Sequence, residues 1–150
     1  MPKNLSSVII KTFHELDKQE LYKFMQLRIE VFIVEQDCPY QDLDDLDSQG
    51  THMWIEEEGV VLTYLRLNPP GTRFKEPSLG RIVTKESARS RGLAEIIINK
   101  ALEIIEASVL FNIKSNNIAV TIHPEHIIHG LVHYKDGSII ANLGLSLIHI

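Results

Sequence analysis

The chain has 150 residues, 44% hydrophobic and 23% charged, with a net charge of −5. That length allows one domain with a substantial core, the composition is that of an ordinary globular protein, and the negative balance argues against a general binder of nucleic acid or of anionic membranes. Cys38 is the only cysteine, which excludes an internal disulfide and points to a reducing, cytoplasmic setting; there is no basic-then-apolar leader, and no apolar run reaches the ~18 residues needed to span a bilayer.

Val8–Thr12 reads as a short apolar strand. Asp17, three residues before Glu20, makes a capping-box signature. Leu21, Phe24, Met25, Arg28, Val31 and Phe32 then recur at helical spacing, which predicts a first helix of roughly four turns packed on the core. Pro39 ends any regular element, and Asp42, Asp44, Asp45 and Asp47 make the next stretch an acidic loop. Three readings stay open for it: a solvated surface loop, an electrostatic funnel for an amine, or a calcium loop, against which the spacing of the acids speaks. Cys38 has no neighbouring histidine or basic group to activate it, so it reads as a structural or pocket-lining thiol.

His52–Glu56 and Val60–Leu67 read as two strands joined near Glu58-Gly59, the second placing Val61, Thr63, Leu65 and Leu67 on one face. Arg66 would emerge beside the next strand of an antiparallel meander, where it pairs with an acid or faces the cleft, the paired role being the expectation. Asn68-Pro69-Pro70-Gly71 stops the run, and a loop extends to Pro77. Leu79–Thr84 is β-branched and apolar enough to be a buried strand. A helix follows from Gly92 to about Ala107–Leu110, with Leu93, Ile96, Ile97, Ala101, Ile104 and Ile105 on one face. Its first turn, preceded by Arg89 and Arg91 and carrying the small residues Gly92 and Ala94, can cradle a phosphate or pyrophosphate: the first amides of a helix are unpaired, and the dipole favours an anion.

Further on, Lys114–Asn117 is a turn and Ile118–Ile122 a buried strand. Pro124 suits the first turn of a short helix, on which His126, His129 and His133 fall near one face, with His123 just before it. Such a cluster can bind Zn or Ni; a partly exposed cluster without metal is the expectation. Residues 138–150 supply two short closing strands.

The spacing Arg89-x-x-Gly92-x-Ala94, between a strand and a helix, resembles the [Gln/Arg]-x-x-Gly-x-[Gly/Ala] loop of the GNAT N-acetyltransferase superfamily. A longer stretch narrows the resemblance. Leu27-Arg28, Val31-Phe32, Val34-Glu35-Gln36, Cys38-Pro39-Tyr40 and Asp44 are similar to the N-terminal signature of the ElaA-type subgroup, in which this segment borders the acceptor side of the cleft. The C-terminal third departs from the pattern. Val132–Ile139 is a poor copy of the Phe-Tyr and Gly-Phe signature, and Leu145–Ile150 is similar to translated sequencing adapter, so residues 138–150 are expected to be non-native or incomplete.

The resemblance implies an α+β acyl-CoA N-acyltransferase fold: a mixed, mostly antiparallel sheet flanked by helices, with a splayed strand pair at the cofactor cleft, in a single domain over 1–150. It implies acetyl-CoA as co-substrate. Ile82, Val83 and Thr84 would align the pantetheine arm, and Arg89, Ser90, Arg91, Gly92, Leu93 and Ala94 would hold the pyrophosphate. Tyr134 would be the catalytic acid and Glu35 the tentative base. The expected activity is acetyl transfer to the primary amine of a small molecule by direct attack. The expected partners are that amine, with no nucleic acid, membrane or metal, and a homodimer is compatible. Two alternatives stay open: a catalytically degenerate CoA-binding module and a histidine-cluster metalloprotein.

Overall fold

The computed structural model describes residues 7–112, 118, 128–133 and 135–143, and the chain divides into two compact units, Met1–Val120 and Thr121–Ile150. In the first unit, β1 (Ile9–Thr12), β2 (Thr51–Glu57), β3 (Val60–Asn68) and β4 (Ser78–Thr84) form an antiparallel sheet in the order β1-β2-β3-β4. Helix α1 (Lys18–Ile29) joins β1 to β2, and α2 (Leu93–Phe111) follows β4. No helix among the described residues is long and apolar enough to cross a membrane.

Helix α1 starts where its capping box places it. The Asp17 carboxylate accepts from the amides of Gln19 and Glu20 (2.7 and 2.8 Å), and Glu20 accepts from the amide of Asp17 at 3.0 Å. These bonds satisfy donors that the first helical turn leaves unpaired. The helical path does not stop at Ile29. It widens into a π-helical turn over Glu30–Glu35, closed by Gln36 N–H donating to Val31 O at 3.2 Å. The predicted positions Val31 and Phe32 therefore lie on a π turn, a local geometry that periodicity alone does not announce.

The sheet is covered on both faces. Phe24, Leu27, Val31, Trp54, Val61, Tyr64 and Val83 form the core on the α1 side, where Phe24 stacks on the rings of Tyr64 (4.5 Å) and His52 (5.0 Å). Met53, Leu65, Leu67, Ile97, Ala101 and Ile104 form the core on the α2 side. The expected single face for Val61, Thr63, Leu65 and Leu67 does not hold. Glu56 pairs with Val61 while Ile55 pairs with Thr63, so Leu62 bulges out of the ladder and reverses the alternation. Val61 thereby joins the α1 side and Leu65 and Leu67 the α2 side. Nor is β4 the buried strand expected from its composition: only Val83 in it is buried, and among the described residues it pairs with β3 alone.

In the second unit, β5 (Ile128–His133) and β6 (Ile139–Leu143) form an antiparallel hairpin. The turn is held by Asp136, whose carboxylate accepts from the amide and hydroxyl of Ser138 at 2.9 and 2.6 Å. The helix expected after Pro124 is thus replaced at 128–133 by a strand. Asp136-Gly137 between two apolar runs is a hairpin signal that outweighs the helical spacing of the histidines. His129 and His133 thus lie in a strand rather than on the helix that the metalloprotein alternative used. His123, His126 and Tyr134 lie outside the described residues, as does the expected strand at 118–122 apart from Ile118, which packs on the α2-side core.

Candidate active site

Strand β4 has no strand paired along its outer side among the described residues. Its inner side is irregular: Tyr64 lies opposite Val83 and Arg66 opposite Gly80, so Arg81 and Ile82 together face Leu65. Arg81 takes up the extra length in the left-handed region, with φ 55°, a conformation that costs a non-glycine residue about 1–3 kcal/mol and is found clustered at functional sites. After the bulge, Ile82 is 39% exposed while Val83 is buried. Thr63 donates its hydroxyl proton to Val83 O at 3.0 Å, so the Thr84 hydroxyl is the donor in the 3.0 Å bond between the two threonines. This ties down the end of the strand from which the loop departs.

That loop makes a short 3-10 turn over Glu86–Ala88, and α2 begins at Leu93. Ser90 and Gly92 both have positive φ, 62° and 75°. Gly92 is the N-cap, and no side chain caps the helix there. A Cβ added at Gly92 would meet nothing within 4 Å. Arg89, Ser90, Arg91 and Gly92 are exposed and Ala94 is half-buried, while Leu93 anchors the turn in the core. The result is an uncapped, accessible helix N-terminus flanked by two cations, whose unpaired amides can accept an anion.

Both cations are engaged. Arg89 Nη2 donates to Glu35 Oε2 at 2.6 Å, and its Nε donates to Thr84 O at 3.3 Å. Arg91 Nη2 donates to Glu57 Oε1 at 2.5 Å. The hydrogen bond and charge of Arg89 hold the Glu35 carboxyl below the ordinary carboxylate value, so while the pair is intact Glu35 is a weakened proton acceptor. Glu35 is the last residue of the π turn, and Glu30 at its start pairs with Lys85 at 2.7 Å. The π turn is therefore clipped to the β4–α2 loop at both ends.

The acidic loop is neither a solvated loop nor an amine funnel. Three of its four aspartates are neutralised by three arginines. Arg28 Nε donates to Asp42 at 2.7 Å and Arg28 Nη1 to Asp47 at 2.7 Å. Arg66 donates from Nη1 to Asp44 and Asp47, both at 2.7 Å, and from Nη2 to Asp44 at 2.8 Å. Arg81 lies 2.7 Å from Asp42 and 3.1 Å from Asp44. The side chains of Arg28 and Arg66 are fully buried. Gly50 permits this, since a Cβ there would stand 2.7 Å from Arg66 Cγ. The pairing expected for Arg66 is present. Unforeseen were the pairing of Arg28 with Asp42 and Asp47 and the role of Arg81. Three arginines placed among buried positions, with a short run of aspartates nearby, was the signal available.

Next to this network His52 Nε2 lies 2.9 Å from Asp47 O and Nδ1 2.8 Å from Tyr64 Oη. A carbonyl only accepts, so Nε2 carries the proton and the tyrosine hydroxyl donates to Nδ1. Burial pushes the His52 pKa below its ordinary 6.5. Burial also pushes the Asp47 carboxyl up, but the bonds from Arg28 and Arg66 outweigh it and leave it below 3.8. Asp44 is held down by its bond to Arg66 against a smaller effect of burial. All three groups bind protons more weakly in the folded state than in the unfolded one. The stability they contribute is thus complete above the ordinary values and is lost as pH falls through the lower folded ones. Urea midpoints measured from about pH 8 to about pH 3 are expected to decline first below the histidine value and again below the aspartate value, and His52→Gln is expected to remove the first decline.

The residues expected to hold the cofactor lie at the end of β4 and along the loop after it, with Val83 and Leu93 buried and the others exposed or half-buried. Ile82, Val83 and Thr84 end β4, Arg89 to Ala94 form the adjoining loop and helix start, and Glu35 is joined to it through Arg89. This arrangement fits a pantetheine diphosphate: a β4 edge with no paired strand among the described residues, uncapped helix amides, and empty space above Gly92. A separate groove of about 280 Å³, lined by Phe13, Leu21, Met25, Leu43 and residues of the acidic loop, contains none of these residues.

A profile of the acetyltransferase (GNAT) family matches residues 18–125. Among solved structures, an acyl-CoA N-acyltransferase from Pseudomonas aeruginosa superposes with a TM-score of 0.64 at 36% identity, over 72% of this chain and 74% of that one. Escherichia coli ElaA superposes with a TM-score of 0.64 at 28% identity, over 68% and 70%. A UPF0039 protein from Synechocystis is 36% identical over 61% of this chain, and ElaA from Escherichia coli K12 is 34% identical over 59%. The chain spans 60% of the length of each of these two curated relatives. The chain thus has an acyl-CoA N-acyltransferase fold with ElaA-type relatives, and it belongs to the acetyltransferase (GNAT) family.

Proposed function

We propose that this chain is an N-acetyltransferase that uses acetyl-CoA to acetylate the primary amine of a small molecule by direct attack. The observation that carries the reading is the uncapped start of α2 at Gly92, close after Arg89 and Arg91 in the loop that follows β4. The backbone amides of the 89–94 loop would hold the diphosphate. The outer edge of β4 at Ile82, Val83 and Thr84 would pair with the pantetheine arm and polarise the thioester carbonyl. Acetyl-CoA supplies the activated acyl group. Glu35, directly or through water, is assigned to take the proton that the amine loses on attack, and Tyr134 to return a proton to the departing thiolate. Direct attack needs no nucleophile from the chain, in keeping with the exposed, isolated Cys38.

The test is thermal unfolding with and without acetyl-CoA, followed by thiol release across a panel of small amines. The expected result is an acetyl-CoA-dependent rise in Tm and amine-dependent release of CoA. Binding without release under any amine would leave a CoA-binding module. A folded chain that acetyl-CoA does not stabilise would end the cofactor assignment.

A further inference from the structure

The two arginines assigned to the diphosphate are not free to receive it. Each is held by a carboxylate from another element: Arg89 by Glu35 of the π turn at 2.6 Å, and Arg91 by Glu57 at the end of β2 at 2.5 Å. The partners are 54 and 34 residues apart in sequence, so the contacts are made by the tertiary fold. Arg89 is also folded back onto its own loop, donating from Nε to Thr84 O. All four side chains remain partly exposed, with about 40% of each accessible, so the pairs are within reach of an incoming anion and are weak enough to exchange. A phosphate is a better partner for a guanidinium than a carboxylate of equal access, because it offers more charge and more acceptor oxygens in a bidentate geometry.

We propose that Glu35 and Glu57 are placeholder anions, and that the diphosphate of the cofactor takes Arg89 and Arg91 from them on binding. This rests on the CoA reading of the loop and adds a regulatory consequence. The carboxylates satisfy the loop cations while the site awaits its cofactor, and loading the cofactor releases Glu35. The pairing that lowers the proton affinity of Glu35 then ends when the cofactor is seated, which makes Glu35 a stronger base only in the loaded protein.

The experiment is calorimetric titration of the full chain with CoA and with ADP, which carries the diphosphate without the pantetheine arm. Wild type, Glu35→Gln, Glu57→Gln, Arg89→Gln and the double variant Glu35→Gln/Arg89→Gln are compared. Glu35→Gln and Glu57→Gln are each expected to bind CoA and ADP about two- to fivefold more tightly, the range released by breaking an exposed ion pair. In the Arg89→Gln background, Glu35→Gln is expected to have no effect, whereas simple removal of a repelling charge would tighten binding in both backgrounds. Unchanged or weaker binding by Glu35→Gln, or equal tightening with and without Arg89, overturns the inference and leaves the CoA reading standing. A folded wild type that binds neither ligand removes the CoA reading and this inference with it.

Discussion

Gly92→Glu is expected to abolish stabilisation by CoA while leaving the fold intact. Position 92 has φ 75°, where a side-chain-bearing residue costs about 1 kcal/mol. That cost is small beside the 5–15 kcal/mol of a typical domain, and a Cβ there meets nothing within 4 Å. The new carboxylate sits at the positive end of α2, where it can itself accept from the first-turn amides. It would therefore fill the cradle and repel the diphosphate in the same step. In wild type, ligand at a hundredfold excess over Kd adds about 2.7 kcal/mol, or roughly 5–10 °C in Tm for a chain of this size. That shift is expected to vanish in Gly92→Glu and to survive in Gly92→Ala, which carries the same backbone strain without the charge. An undiminished shift in the glutamate variant would place the cofactor elsewhere.

Arg28→Met is expected to destabilise the protein by about 3–5 kcal/mol, because it strands Asp42 and Asp47 with only part of their compensation. The side chain of Arg28 is fully buried, and those of Asp42 and Asp47 are 6% and 13% exposed, so water cannot replace what the guanidinium supplies. Arg28→Lys is expected to recover little: the ammonium cannot reproduce the geometry that bonds Asp42 from Nε and Asp47 from Nη1. Removing the whole charge set at once is a different matter, since a buried ion-pair network can be nearly neutral in stability relative to apolar packing. Urea unfolding of the two variants measures the effect, and a loss under about 1 kcal/mol for Arg28→Met would mean that the loop relaxes and rehydrates its acids.

The π turn, the loop and the arginine network belong to one functional frame. Arg81 reaches Asp42 and Asp44 from the bulge in β4, while Glu30 and Glu35 tie the π turn to Lys85 and Arg89. The segment carrying the ElaA-type signature is thus fixed at one end to the middle of β4 and at the other to the loop after it.

What could be read from the chain by itself was local. Asp17 and Glu20 are three residues apart, and their reciprocal capping follows from helix geometry alone. The core face of α2, through Leu93, Ile97, Ala101 and Ile104, follows from 3.6-residue periodicity. The start of α2 at a glycine with two arginines close before it follows from Arg89-x-Arg91-Gly92 set between a strand and an apolar helical pattern. Asp136-Gly137 was equally local, and a histidine spacing obscured it. The tertiary structure decided the rest. Arg28 finds its acids 14 and 19 residues on, Arg66 finds Asp44 22 residues back, and Glu35 meets Arg89 across 54 residues. Whether the acidic loop is solvated or neutralised, and whether the loop arginines stand open or already paired, depends on which side chains the folded sheet and π turn bring within about 3 Å, the reach of a hydrogen bond. Repeat spacing along a chain carries no term for that distance.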